Sequence, residues 1–114
     1  MKLVITSQGN DLSSKVDPRF GRAAHFVLYD TSDDSFQVLS NGENIKASHR
    51  VGVQAVETIA ALKPDIVVSG NFGPKASEAL VAAGIETAVY TSGTIQDVIE
   101  LVKNDGLEPF KNTK

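Results

Sequence analysis

The chain has 114 residues, of which 41% are apolar and 22% are charged, with a formal net charge of −3 and no cysteine. This composition is that of an ordinary globular protein, and we expect one domain over residues 1–105 followed by a tail over 106–114. The missing cysteines exclude disulfides and thiolate ligands from the chain itself. The acidic balance argues against general nucleic-acid binding, and no apolar run reaches the roughly 18 residues that a membrane span needs. We therefore expect a cytoplasmic protein.

The first third of the sequence predicts three strands. Lys2–Ser7 carries a continuous apolar run, which is typical of a strand that is buried on both faces. Ala24–Asp30 and Ser35–Ser40 are separated by a four-residue turn, which favours an antiparallel hairpin. Gln8–Arg22 is a loop of about 15 residues, and loops of this length in compact domains are often functional.

The rest of the sequence alternates helices and strands. A helix is predicted over Ser48–Leu62, where apolar residues recur at helical spacing. A last strand over Ile85–Tyr90 precedes a last helix that starts at Thr94 and that Gly106 ends. Asp97 lies three residues after Thr94, which predicts an acidic variant of the capping box.

The stretch Asp65–Ala76 lies at the centre of this order and predicts a buried strand, a glycine loop and a helix. Gly70 and Gly73 break the strand, Pro74 suits the first position of the helix, and Gly84 ends it. The free N–H groups of such a helix start are a potential anion site. We expect Gly73 to lie where the backbone approaches both a ligand and the helix.

The element order predicts the sheet topology. Strands joined through a helix are usually parallel, so strands three, four and five run parallel, whereas strand two opposes its neighbours. Strands one and four are apolar on both faces and belong at the centre. We therefore predict a three-layer α/β fold with a mixed five-stranded sheet in the order 3-2-1-4-5. A flavodoxin-like doubly wound sheet is the alternative, less favoured because two of the first three connections lack helices.

This topology brings four connecting segments to one edge of the sheet, where strands one and four leave in different directions and a ligand crevice is expected. The segments are 8–22, 40–50, 70–75 and 90–94. They carry the cations Lys15, Arg19, Arg22, Lys46, Arg50 and Lys75 and the carboxylates Asp11, Asp17 and Glu43. A basic rim on an acidic protein indicates an anionic ligand, and a chance surface distribution of cations is the alternative.

Several motifs carry a family resemblance. They are Asp17-Pro18-Arg19-Phe20-Gly21-Arg22-Ala23, Phe26, Gly70-Asn71-Phe72-Gly73-Pro74 and Ala82-Ala83-Gly84-Ile85. Together they resemble the dinitrogenase iron–molybdenum cofactor biosynthesis family over nearly the whole chain. The resemblance implies a ribonuclease-H-like fold, and its nitrogenase-linked members bind or carry an iron–sulfur–molybdenum cluster or its precursor. Those members have a histidine, a proposed cluster ligand, where this chain has Arg19, and the chain is more similar to the small stand-alone members.

The expected ligand-binding residues come from the motif loops and from the start of the first helix. They are Arg19, Phe20, Gly21, Arg22, His49, Gly70, Asn71 and Gly73. Phe20 is expected to pack the loop down, so that Arg19 and Arg22 present two guanidinium groups. His49 and His25 are candidate metal ligands because both lie near the basic edge. Two distant histidines without cysteines form no recognisable metal site, so a solvated His49 and a partly buried strand residue His25 are the alternatives.

We therefore predict a small binding protein that acts as carrier or chaperone for an anionic iron–sulfur or iron–molybdenum cluster, with cofactor-assembly proteins as partners. The alternative is a binding module for a phosphorylated metabolite or nucleotide at the Gly70–Pro74 helix start. An enzyme is not expected, because strand one offers no carboxylate for a nuclease and Asp65 falls at the wrong end of strand four. Ser69 has no evident histidine and aspartate partners in the sequence.

Overall fold

The computed structural model describes residues 1–40, 51–91 and 93–103. The elements in these ranges are β1 (Lys2–Ser7), β2 (His25–Asp30), β3 (Ser35–Ser40), α1 (Val51–Ala60), β4 (Ile66–Ser69), α2 (Pro74–Ala82), β5 (Glu86–Val89) and α3 (Ile95–Lys103). The predicted start of the first helix at Ser48, the stop at Gly106 and the tail lie outside the described residues. No helix within the described ranges has the length and apolar character needed to cross a membrane.

The five strands form one mixed sheet in the order β3-β2-β1-β4-β5. β1 pairs antiparallel with β2 and parallel with β4, so that Leu3 lies between Tyr29 and Ile66. β2 and β3 are antiparallel, and β4 and β5 are parallel. The predicted order is confirmed, and the flavodoxin-like alternative is wrong because β2 runs against both of its neighbours.

The core has two parts, one on each side of the sheet. On the α3 face, Leu3 and Ile5 of β1 belong to the same cluster as the apolar stripe of α3, which is Ile95, Val98 and Ile99. On the opposite face, called here the α1/α2 face, Val4 and Val67 belong to the same cluster as Ala55, Val56 and Ile59 of α1 and Ala76 and Leu80 of α2. β1 and β4 are buried on both faces, as their continuous apolar runs predicted.

Helix α2 ends as its sequence predicted. Gly84 has a φ of +76°, the left-handed conformation that glycine adopts at little cost. The N–H groups of Gly84 and Ile85 donate to the carbonyls of Val81 and Leu80 at 3.0 Å each. This is the Schellman arrangement, in which the two residues after the C-cap satisfy carbonyls of the last turn.

The far end of α3 is joined to the β2–β3 turn by a polar contact. Lys103 Nζ lies 2.5 Å from Asp34 Oδ1 and 5.8 Å from the centroid of the Tyr29 ring, and the Tyr29 hydroxyl also donates to Asp34. The hydrogen bond from Lys103, followed by that from Tyr29, lowers the pKa of Asp34 below its usual value. Lys103 therefore forms an ion pair that joins α3 to the β2–β3 turn, and its charge is not free at the surface.

Candidate functional site

The candidate site lies where β1 and β4 end, and it is formed by two loops that hydrogen-bond to each other. The Asp17 N–H donates to the Thr6 carbonyl at 2.9 Å, which places this segment over the end of β1. The Gly70 N–H donates to the Asp17 carbonyl at 3.3 Å, and the Phe20 N–H donates to the Asn71 carbonyl at 3.2 Å. We call segments 17–23 and 70–73 the paired loops, because these bonds make them one unit.

Two buried hydroxyls lie beneath the paired loops. Thr6 and Ser69 are both 0% exposed. The Thr6 hydroxyl donates to the Asp17 carbonyl at 2.8 Å, and the Ser69 oxygen lies 2.9 Å from the Thr6 oxygen and 3.3 Å from the Asn71 carbonyl. Because each hydroxyl has one proton and Thr6 donates to Asp17, Ser69 is the donor in one of its contacts, with the Thr6 oxygen at 2.9 Å or with the Asp17 or Asn71 carbonyl at 3.3 Å. The pair satisfies loop carbonyls, and the partners described for Ser69 include no catalytic base.

The paired loops approach each other closely at Gly70. A Cβ atom added there would lie 2.5 Å from the Pro18 Cα atom, so the backbone contact depends on glycine. Gly73 was expected to lie where the backbone approaches both a ligand and the helix, and the structure has no close protein contact at this position, whereas the approach of a ligand stays a prediction. Gly73 has extended backbone with φ −66° and ψ 161°, and no atom lies within 4 Å of the Cβ that a larger residue would add there.

Aromatic packing holds segment 17–23 against the α1/α2 face. Phe20 is 2% exposed, and its ring centroid lies 5.9 Å from that of Phe26 and 5.3 Å from that of Phe72. Phe20 is therefore an anchor, as expected, and its side chain lies in the core and not on the surface. Phe72 is partly buried and continues the same aromatic stack toward the surface. Our sequence-based set of site residues omitted it, although its position between Asn71 and Gly73 was a usable signal.

Helix α2 starts directly after the paired loops, and its first turn is open. Gly73 is the N-cap residue and makes no side-chain cap. Within the described parts of the chain, the N–H groups of Gly73, Lys75 and Ala76 have no hydrogen-bond acceptor, and Pro74 has no N–H. Unpaired N–H groups and the helix dipole give such an end a partial positive charge.

Three exposed cations belong to the paired loops and to the first turn of α2. The Arg19 side chain is 64% exposed, and Arg22 and Lys75 are also exposed. Arg19 Nε lies 3.3 Å from Asp17 Oδ1, whose side chain is only 2% exposed. The described residues of this edge include four cations, Lys15, Arg19, Arg22 and Lys75, against Asp11 and Asp17. The predicted rim residues Glu43, Lys46, His49 and Arg50 lie outside the described residues.

The sequence profile of the dinitrogenase iron-molybdenum cofactor family matches residues 1–105. The chain belongs to this family. The resemblance read from the motifs is thereby confirmed, and the paired loops and the start of α2 are the parts of the fold where those motifs lie.

Solved structures with this fold include relatives above 30% identity. The apo form of the orange protein from Desulfovibrio gigas is 31% identical, with a TM-score of 0.89 over 95% of this chain and 91% of the orange protein. A Thermotoga protein provisionally called a NifB protein is 32% identical, with a TM-score of 0.83 over 99% and 96% of the two chains. An uncharacterized protein from Methanocaldococcus jannaschii is 26% identical over 97% of this chain and 92% of its own length.

The two candidate metal ligands were His25, which the structure describes, and His49, which lies outside the described residues. His25 pairs with Ser7 in the sheet and lies on the α3 face with Val27 and Tyr29, whereas Phe20 lies on the opposite face. The His25 Nδ1 atom is buried and has no hydrogen-bond partner among the described residues. No group of three or more histidine, cysteine or carboxylate side chains in the described ranges could hold a metal ion. Metal binding by His25, and any role of His49, stay predictions.

Proposed function

We propose that this protein binds an anionic iron–molybdenum–sulfur cluster, either the finished cofactor or a precursor, and carries it between proteins of cofactor assembly. The observation that carries the proposal is the open start of α2 next to the exposed Arg19 and Arg22. Membership of the dinitrogenase iron-molybdenum cofactor family supports it, because a cluster of that kind is the ligand that the family name indicates.

The chemistry of the rim suits a polyanion held at a surface. Guanidinium groups make charge-assisted hydrogen bonds, and the unpaired N–H groups of the α2 start add uncharged donors. The partly buried Phe72 provides an apolar surface beside them. The described residues of the site offer donors and positive charge without a nucleophile next to a base, which favours binding and carriage over catalysis.

A binding module for a phosphorylated metabolite or nucleotide is the second candidate. One observation favours it specifically: an uncapped helix start after a glycine loop is a common phosphate site. The two candidates share the same donors and differ in the ligand. The experiment below therefore uses isolated iron–molybdenum cofactor, inorganic phosphate and ATP as separate probes.

The test is reversal of the two arginines, Arg19→Glu with Arg22→Glu. Each lost charge-assisted contact costs about 1.5–3 kcal/mol when it is direct, so we expect the double variant to bind isolated iron–molybdenum cofactor at least about tenfold more weakly. Binding is measured by anaerobic titration and by retention of the coloured cofactor on the protein during ultrafiltration. Affinity of the wild type should also fall with salt, because exposed charges are screened beyond about 8–10 Å.

The matched control is Lys2→Glu with Lys63→Glu, which changes the charge by the same amount at the opposite edge of the sheet. Lys2 and Lys63 are both exposed, whereas Lys103 is unsuitable because it pairs with Asp34. We expect the control to bind like the wild type. Equal weakening by both double variants would mean that net charge alone acts, and the proposed site would be wrong. Retention of ATP or phosphate without retention of the cofactor would support the second candidate instead.

A further inference from the structure

We propose that Asp17 is a positioning residue, which acts through Arg19 by holding the guanidinium group where the anionic cargo binds. The inference rests on the function proposed above and adds a residue whose charge is opposite to that of the rim cations. By charge alone, a carboxylate at an anion site should weaken binding. The geometry around Asp17 indicates the reverse.

The Asp17 carboxylate is buried and accepts two hydrogen bonds from one residue, Arg19. Its side chain is 2% exposed, and Oδ1 accepts from the Arg19 N–H at 2.9 Å and from Arg19 Nε at 3.3 Å. The main chain at Asp17 is itself fixed, because its N–H donates to the Thr6 carbonyl and its carbonyl accepts from Gly70. The carboxylate is therefore fixed by the paired loops, whereas the Arg19 side chain extends from them and is 64% exposed.

The contact at Nε leaves most of the guanidinium available. Arginine has five N–H donors, and this contact uses the one on Nε, so the four on the two Nη atoms remain for a ligand. An unrestrained arginine loses side-chain freedom when it binds, and restraint before binding reduces that loss. Asp17 therefore restrains the side chain without occupying the donors that a cargo would use.

A turn-forming role alone does not account for the contact with Nε. Asp33 makes the same local turn, with its Oδ1 accepting from the Ser35 N–H at 3.0 Å, and no arginine side chain is part of that turn. An asparagine retains the side-chain oxygen that such a turn needs but loses the negative charge that attracts Nε. The two roles can therefore be separated by a single substitution.

The experiment is Asp17→Asn, titrated anaerobically with isolated iron–molybdenum cofactor, with Asp33→Asn as the control of equal charge change at a distant turn. If charge alone mattered, Asp17→Asn would bind more tightly because the rim becomes more positive. If Asp17 positions Arg19, binding should weaken by about threefold to tenfold, somewhat less than loss of a whole charge-assisted contact. Asp33→Asn should bind like the wild type. Unchanged or tighter binding by Asp17→Asn overturns the proposal.

A second variant keeps the test valid if Asp17→Asn disturbs folding, as judged by its melting temperature. Arg19→Lys retains the charge at an exposed position but removes Nε and the planar fork. We expect Arg19→Lys to weaken binding by a similar factor, and Asp17→Asn to cause no further loss when added to it. Independent, additive losses would overturn the link between the two residues.

The two proposals can fail separately. If the Arg19→Glu/Arg22→Glu variant weakens binding but Asp17→Asn does not, only the positioning role of Asp17 fails. If the arginine variant has no effect on binding, the proposed function fails first.

Discussion

Helices α2 and α3 start at the same edge of the sheet, but only in α3 do the N–H groups of the first turn all have acceptors within the protein. Every N–H group in the first turn of α3 has an acceptor. The N–H group of Thr94 donates to Asp97 Oδ2 at 2.9 Å, and that of Asp97 donates to Thr94 Oγ1 at 3.2 Å. The N–H groups of Ile95 and Gln96 donate to the carbonyls of Ser14 and Leu12 at 2.9 Å each. The loop over residues 8–16 and the Thr94–Asp97 cap together leave α3 without a free donor there.

The first turn of α2 shows the opposite arrangement. Its N-cap is Gly73, which has no side chain to cap it, and Pro74 removes a donor but supplies no acceptor. The free N–H groups of Lys75 and Ala76 lie next to a rim of exposed cations. This contrast indicates that a helix start is a candidate site only when the surrounding chain leaves it open, since both helices have a dipole but only the N–H groups of the α2 start lack acceptors.

The largest effect is expected from Gly70→Ala, which should lower the free energy of unfolding and tests the contact between the paired loops that precede the start of α2. A Cβ atom 2.5 Å from the Pro18 Cα atom must push the paired loops apart, and overpacking of this kind costs about 1–3 kcal/mol. Urea unfolding measures the change. Gly73→Ala is the matched control, because its Cβ meets nothing within 4 Å, and we expect a loss below about 1 kcal/mol. Equal losses would show that the contact between the loops is not tight.

The contrast between Gly70 and Gly73 also shows where sequence reasoning stops. The sheet order followed from local patterns, namely continuous apolar runs in β1 and β4 and a short turn between β2 and β3. The Thr94–Asp97 cap followed from spacing, because both partners lie within one turn of helix. The contact between Gly70 and Pro18 joins segments more than fifty residues apart, and no periodicity in either segment reports their approach.

The site was predictable to a similar, partial degree. The predicted topology placed Arg19 and Arg22 at the edge where β1 and β4 end, and the structure confirms Phe20 as the buried anchor of its loop, whereas binding by the two arginines stays a prediction. The hydrogen bonds from the first turn of α3 to the carbonyls of Leu12 and Ser14 were not predicted. Every residue has a backbone carbonyl, so the side chains in the sequence do not show which carbonyls accept from a helix start. The contact between Asp17 and Arg19 was not predicted for another reason. Aspartate is common before proline in turns, so the sequence provided no cause to expect a further role for Asp17.

The next largest effect is expected from Gly73→Asp, which would cap the first turn of α2 as the Thr94 side chain caps that of α3. The backbone at Gly73 is extended and its surroundings are open, so an aspartate fits and its carboxylate can accept from the Lys75 or Ala76 N–H groups. We expect slightly higher stability and about tenfold weaker binding of isolated iron–molybdenum cofactor, because the carboxylate occupies the donors and repels an anion. Anaerobic titration and thermal unfolding provide the two measurements.

Gly73→Asn separates the two causes, since asparagine caps the helix without a charge. It should bind the cofactor with an affinity between those of the wild type and Gly73→Asp. Unchanged cofactor binding by Gly73→Asp would mean that the cargo does not contact the start of α2, and the contrast between the two helices would then have no functional meaning.

The smallest effect is expected from Asp97→Ala, which opens one bond of α3. The Thr94 N–H loses its acceptor, and removal of such a cap costs about 1 kcal/mol of unfolding free energy. Binding of the cofactor should stay within about twofold of the wild type, a change well below 1 kcal/mol, because Ile95 and Gln96 still donate to the loop carbonyls. Asp97→Asn, which keeps the cap and loses the charge, should retain most of the stability. Equal, marked tightening of anion binding by Asp97→Ala and Asp97→Asn would show that the charge of Asp97, and not the closed first turn, keeps anions away from α3, and openness would then not be what distinguishes α2.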